Sequence, residues 1–348
     1  MAPFRVALSA DFRKSDGAPL FPDFDLEPLI EAPDVELRYL EPADSLRADQ
    51  LADVDALILL TPRFTADSIH PNGRLAVVAR FGVGYDNVAV DALTRAAIPL
   101  VITPDGVRRP VAVSIMALML ALTGKLTIKD RLTREGPDGF NRRAQHMGYG
   151  LVGRTLGSLG IGNIGAELFR LAKPFDMSFI AHDPYASPAT ARELAIELVD
   201  LDEVFRQSDV LTVNCPLTDD TRHLVNARRL ALMKPTAFLI NTARGPIVDQ
   251  KALTTVLVER RIAGAGLDVF EVEPPPLDEP LLKLDNVILT PHALCWTDQC
   301  FAGNGAADIR AVLDIQHGRV PRGVVNRDVL EDKVFKERLE RLRAAHGG

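Results

Sequence analysis

The sequence predicts an α/β protein made of two doubly wound parallel-sheet domains, one of them discontinuous. Two observations carry that prediction. Short apolar runs of β type alternate with helix-compatible segments in two separate series, and a glycine-rich strand-to-helix turn opens the second. A chain of 348 residues also suits two domains, at roughly 100–200 residues each.

In the first series FRVALSA (4–10), VELRYL (35–40), ALILL (56–60), LAVVARF (75–81) and PLVIT (99–103) read as strands, with a short helix over 88–97. Near-continuous apolar strands separated by helices belong in a parallel sheet covered on both faces. A helix is expected from Pro110 to Leu132, with Pro110 at its first position, followed by REGPDGFNRR as a Gly/Pro/charge-rich connection. The run PVAVSIMALMLAL inside it is shorter than the about 20 residues a bilayer span needs, and reads as a buried helix.

The second series, from Thr155 to about Pro291, has strands TLGSLGI, MSFIAHD, VLTVNC, AFLINTA, GAGLDVF and NVILTP. The tail from about Thr297 is helical in pattern and is expected to pack back on the first domain. Leu330, Val334, Leu339 and Leu342 are spaced to bury one face.

Apolar residues make up 47% and charged residues 25%, the balance of a soluble globular protein. A net charge of −7 without a long basic run argues against nucleic acid and anionic membrane as partners. The cysteines, Cys215, Cys295 and Cys300, form no disulfide framework, and the N-terminus has no secretory apolar region, so a cytoplasmic protein is expected.

The sharpest motif is Gly160-Ile161-Gly162-Asn163-Ile164-Gly165, between a strand and a helix. Gly160 permits the turn, Gly162 lets backbone approach a pyrophosphate, and Gly165 lets helix and strand pack closely. The amides of Asn163 and Ile164 at the helix start would bind the diphosphate. Asp183, ending the next strand, stands where a carboxylate takes the adenosine ribose hydroxyls. It would repel a 2′-phosphate, so NAD is expected rather than NADP.

Three later strands end near Arg244, Glu271/Glu273 and His292. Ligands of open parallel sheets sit beyond the carboxyl ends of strands. A cation there can clamp a carboxylate, an imidazole can exchange a hydroxyl proton, and an acid can orient the imidazole. Cys295 and Cys300 near His292 fall short of the four ligands of structural zinc, and no metal is expected. Trp296 either walls the site or packs in the core.

ARFGVGYDNV, LGIGNIG, NCPLTDDTRHLVN, LINTARGPIVD, GAGLDVFEVEP and NVILTPH, in this order, resemble the D-isomer-specific 2-hydroxyacid dehydrogenase family. The resemblance spans nearly the whole chain. It implies a Rossmann NAD-binding domain (105–296) inserted into a flavodoxin-like substrate domain (1–104 and 297–348). It places the catalytic arginine on Arg244, the acid on Glu273 (leaving Glu271 a solvated charge) and the acid/base histidine on His292. A nicotinamide-carboxamide aspartate falls on Asp268, and further cofactor contacts on Pro216, Thr221, Thr242 and Ala243 as well as Arg244 and His292. The substrate carboxylate falls on the Phe81–Gly84 loop, through the amides of Val83 and Gly84. Homodimers form through helices at about 106–150. The implied reaction moves a hydride between nicotinamide and C2 of a small D-2-hydroxy or 2-oxo acid.

The chain departs from the family pattern in two places. Val113 stands where a glutamate is common, with Arg108 and Arg109 just before the expected helix start. Cations there oppose the helix dipole and want an anion nearby, either a cofactor phosphate or a second acidic group on substrate, the alternative being a solvated or interface pair making salt bridges. After His292, Ala-Leu-Cys-Trp replaces small residues. A dehydrogenase-like NAD(H)-sensing corepressor and a phosphite dehydrogenase-like enzyme remain alternatives. A formate dehydrogenase is disfavoured, because that branch has glutamine at the position of Glu273.

Overall fold

The computed structural model describes residues 2–347. The chain divides into two compact units, Met1–Val107 with Trp296–Gly348, and Arg108–Cys295. In the first unit run β1 (Phe4–Leu8), α1 (Glu27–Ile30), β2 (Val35–Tyr39), β3 (Ala56–Leu59), β4 (Val77–Arg80), α2 (Val90–Arg95) and β5 (Leu100–Ile102). Their sheet is parallel throughout, in the order β2-β1-β3-β4-β5 that defines flavodoxin-like winding. All of β3 and the first three residues of β4 are buried, which is why those runs show no polar alternation. Beyond β4 the chain turns through Gly82, whose φ of 122° is one that glycine adopts readily.

The next helix, α3, is Pro104–Thr123, and Pro110 lies inside it. The expected start at Pro110 is therefore wrong. One missing N–H is a small loss beside the burial of Ala112, Ile115, Met116, Leu118, Met119 and Leu122 along the same helix. By length and composition α3 passes for a membrane span, yet this buried face makes it a core helix. It ends at Gly124, and α4 (Leu126–Arg134) and α5 (Pro137–Arg142) follow. REGPDGFNRR is thus largely helical rather than an open connection, with Pro137 in the first turn, where no N–H is needed.

The second unit continues with β6 (Thr155–Leu159), α6 (Asn163–Ala172), β7 (Ser178–His182), α7 (Pro188–Glu193), β8 (Ile196–Leu198) and α8 (Leu201–Gln207). Then come β9 (Val210–Val213), α9 (Ala227–Leu230), β10 (Phe238–Asn241), α10 (Gln250–Val258), β11 (Gly264–Leu267) and β12 (Val287–Leu289). The parallel order is β12-β11-β10-β9-β6-β7-β8, so the winding reverses between β6 and β9. That reversal is where Rossmann sheets bind dinucleotides. The edge strand β8 has no counterpart in the sequence reading, because only Ile196 of its three residues is buried and ELAIELVD has no β alternation. One sheet face is covered by α3: a Cβ on Gly266 would already touch Leu118 and Leu122 at 3.2 Å.

Two helices, α11 (Asp298–Gln316) and α12 (Lys333–His346), complete the first unit. The buried face of α12 is Phe335, Arg338 and Leu339, while Val334 is 52% exposed, contrary to the expected stripe. The phase is set by Arg338, whose guanidinium caps the carbonyls of Ala96 and Ala97.

Candidate active site

The glycine turn after β6 has three distinct environments. Gly160 has a φ of 95°, and a Cβ there would sit 3.1 Å from the backbone of Asn214 and Cys215. A Cβ on Gly165 would come within 2.6 Å of the Gly160 carbonyl oxygen, so this residue lets α6 lie against β6. On Gly162 a Cβ would meet nothing within 4 Å. Of these three glycines only Gly162, the N-cap of α6, has an α-carbon facing open space, and there Asn163 and Ile164 begin the helix with amides that lack intrahelical acceptors. Asp183 follows β7 beside this turn, accepting from the Ile161 amide at 2.8 Å and the Tyr185 amide at 2.9 Å.

After β9, the Thr221 hydroxyl donates to the Pro216 carbonyl at 2.7 Å and accepts from the Thr218 amide at 2.7 Å. Its structural work is therefore to fix the 216–221 turn. Burial pushes the nearby Cys215 thiol up to about 11. After β10, the buried Asn241 clasps the next turn: its Nδ2 donates to the Arg244 carbonyl at 2.9 Å and its Oδ1 accepts from the Ala243 amide at 3.0 Å. Within that clasp the Thr242 hydroxyl is buried and, among the described residues, has no hydrogen-bond partner. A buried orphan hydroxyl is costly unless a ligand completes it. Together with the open face at Gly162 it fits a dinucleotide lying over the ends of β6, β9 and β10.

The ionisable residues gather at the ends of β10, β11 and β12. Gly245 packs directly on the Phe270 carbonyl, with no room for a Cβ, and so brings the Arg244 turn against the loop after β11. The Arg244 guanidinium donates to its neighbour's carbonyl, that of Ala243, at 2.7 Å. Glu273 accepts from the Phe270 amide at 2.9 Å through Oε1, and its Oε2 meets His292 Nδ1 at 2.7 Å. Burial alone would raise the Glu273 carboxyl; the His292 hydrogen bond, the Phe270 amide and the charges of His292 and Arg244 outweigh it and hold the group below the usual carboxylate range.

His292 adopts a φ of 54°, a left-handed conformation unusual outside glycine, and its flanks hold it there. Asp268, 3% exposed, accepts through Oδ1 from the Thr290 hydroxyl at 2.6 Å, the Ala293 amide at 3.1 Å and the Leu294 amide at 3.2 Å. Sequence reasoning assigned Asp268 to the cofactor alone and missed this loop-building role. An acid at the end of a buried strand, more than twenty residues before the loop it holds after the neighbouring strand, leaves no local signal of it.

Two other expectations change. Glu271 is 30% exposed in its side chain and also pairs with His223 Nε2 at 2.5 Å, a partner the sequence did not suggest. Arg108 and Arg109 lie within α3, not at its start, and Arg109 pairs with Glu167 of α6, so the dipole argument for a second ligand anion loses its premise. In the first unit, Val83 and Gly84 are half-buried after β4, and Trp296 stacks edge-on against Phe21 and Phe301 at 5.4 and 5.5 Å while staying 44% exposed. Cys300 is buried in the first turn of α11.

A glycine-turn nucleotide site and an Arg–Glu–His set on one Rossmann sheet define a nicotinamide-dependent dehydrogenase. The D-isomer specific 2-hydroxyacid dehydrogenase NAD binding domain matches residues 116–293. A glyoxylate reductase of Korarchaeum cryptofilum is 38% identical over 83% of this chain and 88% of its own length. The D-3-phosphoglycerate dehydrogenase of Methanocaldococcus jannaschii is 38% identical over 80% of this chain, which spans 53% of that protein. Among solved structures, a glyoxylate reductase from Paecilomyes thermophila superposes with a TM-score of 0.76 at 28% identity, over 90% of this chain and 95% of its own. The chain belongs to the D-isomer-specific 2-hydroxyacid dehydrogenase family.

Proposed function

We propose that this enzyme uses NAD(H) to interconvert a small D-2-hydroxy acid and its 2-oxo acid, with glyoxylate the first substrate to test because similar proteins bear that name. The observation that carries the reading is the 2.7 Å pair between Glu273 and His292, next to Arg244 on the same sheet edge. Arg244 holds the substrate carboxylate through its guanidinium. With Nδ1 committed to Glu273, Nε2 of His292 is the nitrogen left to exchange a proton with the substrate oxygen. In reduction it gives the proton to the forming alkoxide; in oxidation it takes the hydroxyl proton. Such acid–base help is worth roughly 10²–10⁴ in rate. Bound nicotinamide supplies or accepts the hydride. By the family resemblance the Val83 and Gly84 amides are assigned to a substrate carboxylate, and Thr242, Asn163, Ile164 and Asp183 to the dinucleotide.

The specificity for NAD rests on Asp183, whose carboxylate is fixed beside the glycine turn and repels a 2′-phosphate. A homodimer is proposed through 106–150, where Val113, Leu120, Leu126, Phe140 and Met147 are all exposed. The low cysteine content, Cys215, Cys295 and Cys300, suits a reducing cytoplasm.

The test follows NADH and NADPH oxidation with glyoxylate, hydroxypyruvate, its 3-phosphate, pyruvate and 2-oxoglutarate. NADH-dependent turnover that His292→Ala reduces by about a hundredfold or more supports the reading. Turnover that survives His292→Ala, or none with any substrate, overturns it.

A further inference from the structure

The loop proposed to bind the substrate carboxylate is held from beneath by a side-chain network that sequence motifs do not reveal. Backbone bonds lead up to it and then stop. The Phe81 amide donates to the Leu59 carbonyl at 2.9 Å, and the Phe81 carbonyl accepts from the Arg80 guanidinium. The Gly82 amide donates to the Thr103 hydroxyl at 2.8 Å, and the Gly82 carbonyl accepts from the Thr103 amide at 2.9 Å. Among the described residues the ladder ends there, which leaves the Val83 and Gly84 amides to a ligand.

Thr103 is 1% exposed and cannot reach water. A hydroxyl has a single proton, and the contact to Asn304 Oδ1 at 2.8 Å is shorter than that to the Gly82 carbonyl at 3.2 Å. The proton therefore goes to Asn304, and a lone pair faces the Gly82 amide. Asn304, 3% exposed on α11, is held in turn: its Nδ2 meets Cys300 Sγ at 3.6 Å, one helical turn back. Gly106 presses on Asn304 so closely that no Cβ would fit. One turn further along α11, Asp308 is fully buried within electrostatic reach of Arg80, whose guanidinium fills the space a Cβ on Gly82 would need.

We infer that Thr103 and Asn304 are positioning residues for substrate: the Asn304–Thr103–Gly82 relay, backed by Arg80 and Asp308, sets the plane of the Gly82 peptide and so aims the Val83 and Gly84 amides at the substrate carboxylate. The inference rests on the carboxylate role proposed for that loop. It assigns substrate affinity to a tail helix about two hundred residues from the loop in sequence. A misaimed amide pair loses binding held equally in ground and transition states, which raises KM and leaves kcat.

The experiment compares wild type with Thr103→Val, Thr103→Ser and Asn304→Ala, reading KM and kcat for the best 2-oxo acid, Kd for NADH, and Tm. Valine keeps the shape of threonine but strands the Gly82 amide and the Asn304 oxygen. The expected result is a KM roughly tenfold or more higher, the scale of one stranded buried hydrogen bond, with kcat and NADH binding near wild type. Serine restores KM, and Asn304→Ala raises it in the same direction, which gives the readout should valine prevent folding. Variants that lower Tm while KM stays unchanged overturn the inference and leave the proposed function standing. A wild type that turns over no 2-oxo acid overturns both.

Discussion

At the scale of single residues, two carboxylates have surroundings that push them in opposite directions. Glu273 lies low because His292, the Phe270 amide and Arg244 favour its charge over the cost of burial. A carboxyl depressed in the folded state contributes stability above its unfolded pKa and loses it as pH falls through the folded one. Glu273→Gln is therefore expected to melt below wild type at pH 7, and the two curves should converge as pH drops below about 4. Its kcat should fall together with that of His292→Ala, because both remove the oriented imidazole. Asp308 is the reverse case. Burial lifts its carboxyl well above the usual range, against the pull of Arg80, and neither oxygen has a hydrogen-bond partner among the described residues. Folding then takes up a proton, so its contribution falls as pH rises from about 4, the unfolded value, toward the folded one. Asp308→Asn should raise Tm at pH 8 relative to wild type and lose that advantage at pH 4. A gain that is independent of pH would show that Asp308 keeps its ordinary pKa.

At the scale of elements, glycines divide into those that build the turns and those that leave room. Gly245 has no space for a methyl group against Phe270, and Gly162 has all the space it needs. Gly245→Ala is expected to cost about 1–3 kcal/mol by denaturant unfolding and to separate Arg244 from Glu273. Gly162→Ala should leave Tm unchanged, since its φ of −62° suits any residue, while weakening NADH binding measured by fluorescence titration about tenfold or more. Equal affinity in that variant would move the pyrophosphate away from the α6 N-terminus. The helices show the same division between local signal and context. Alternation of apolar runs marked eleven of the strands to within a few residues, but Pro110 misled, because a proline signal is read locally and the burial that overrides it is not.

At the scale of the whole molecule, the exposed apolar residues of α3, α4, α5 and the stretch after them call for cover. The proposed homodimer predicts that Leu126→Asp with Phe140→Asp yields a monomer by light scattering, whereas a monomeric wild type would refute it. The glycine turn, the strand ends that carry Arg244, Glu273 and His292, and the division into an early and a late strand series were legible in the sequence, since each is carried by local residue pattern. The sequence by itself thus determined at which strand ends and turns the candidate residues stand, because a strand's end and a turn's glycine are local facts. Only the tertiary structure decided what orients them. Asp268 gripping the His292 loop, Gly245 docking Arg244 near Glu273, Arg109 spent on Glu167, and Asn304 reaching Thr103 from 201 residues away are contacts between distant segments. They exist only because parallel sheets bring strand ends, and the helices that cover them, to one edge whatever their separation along the chain.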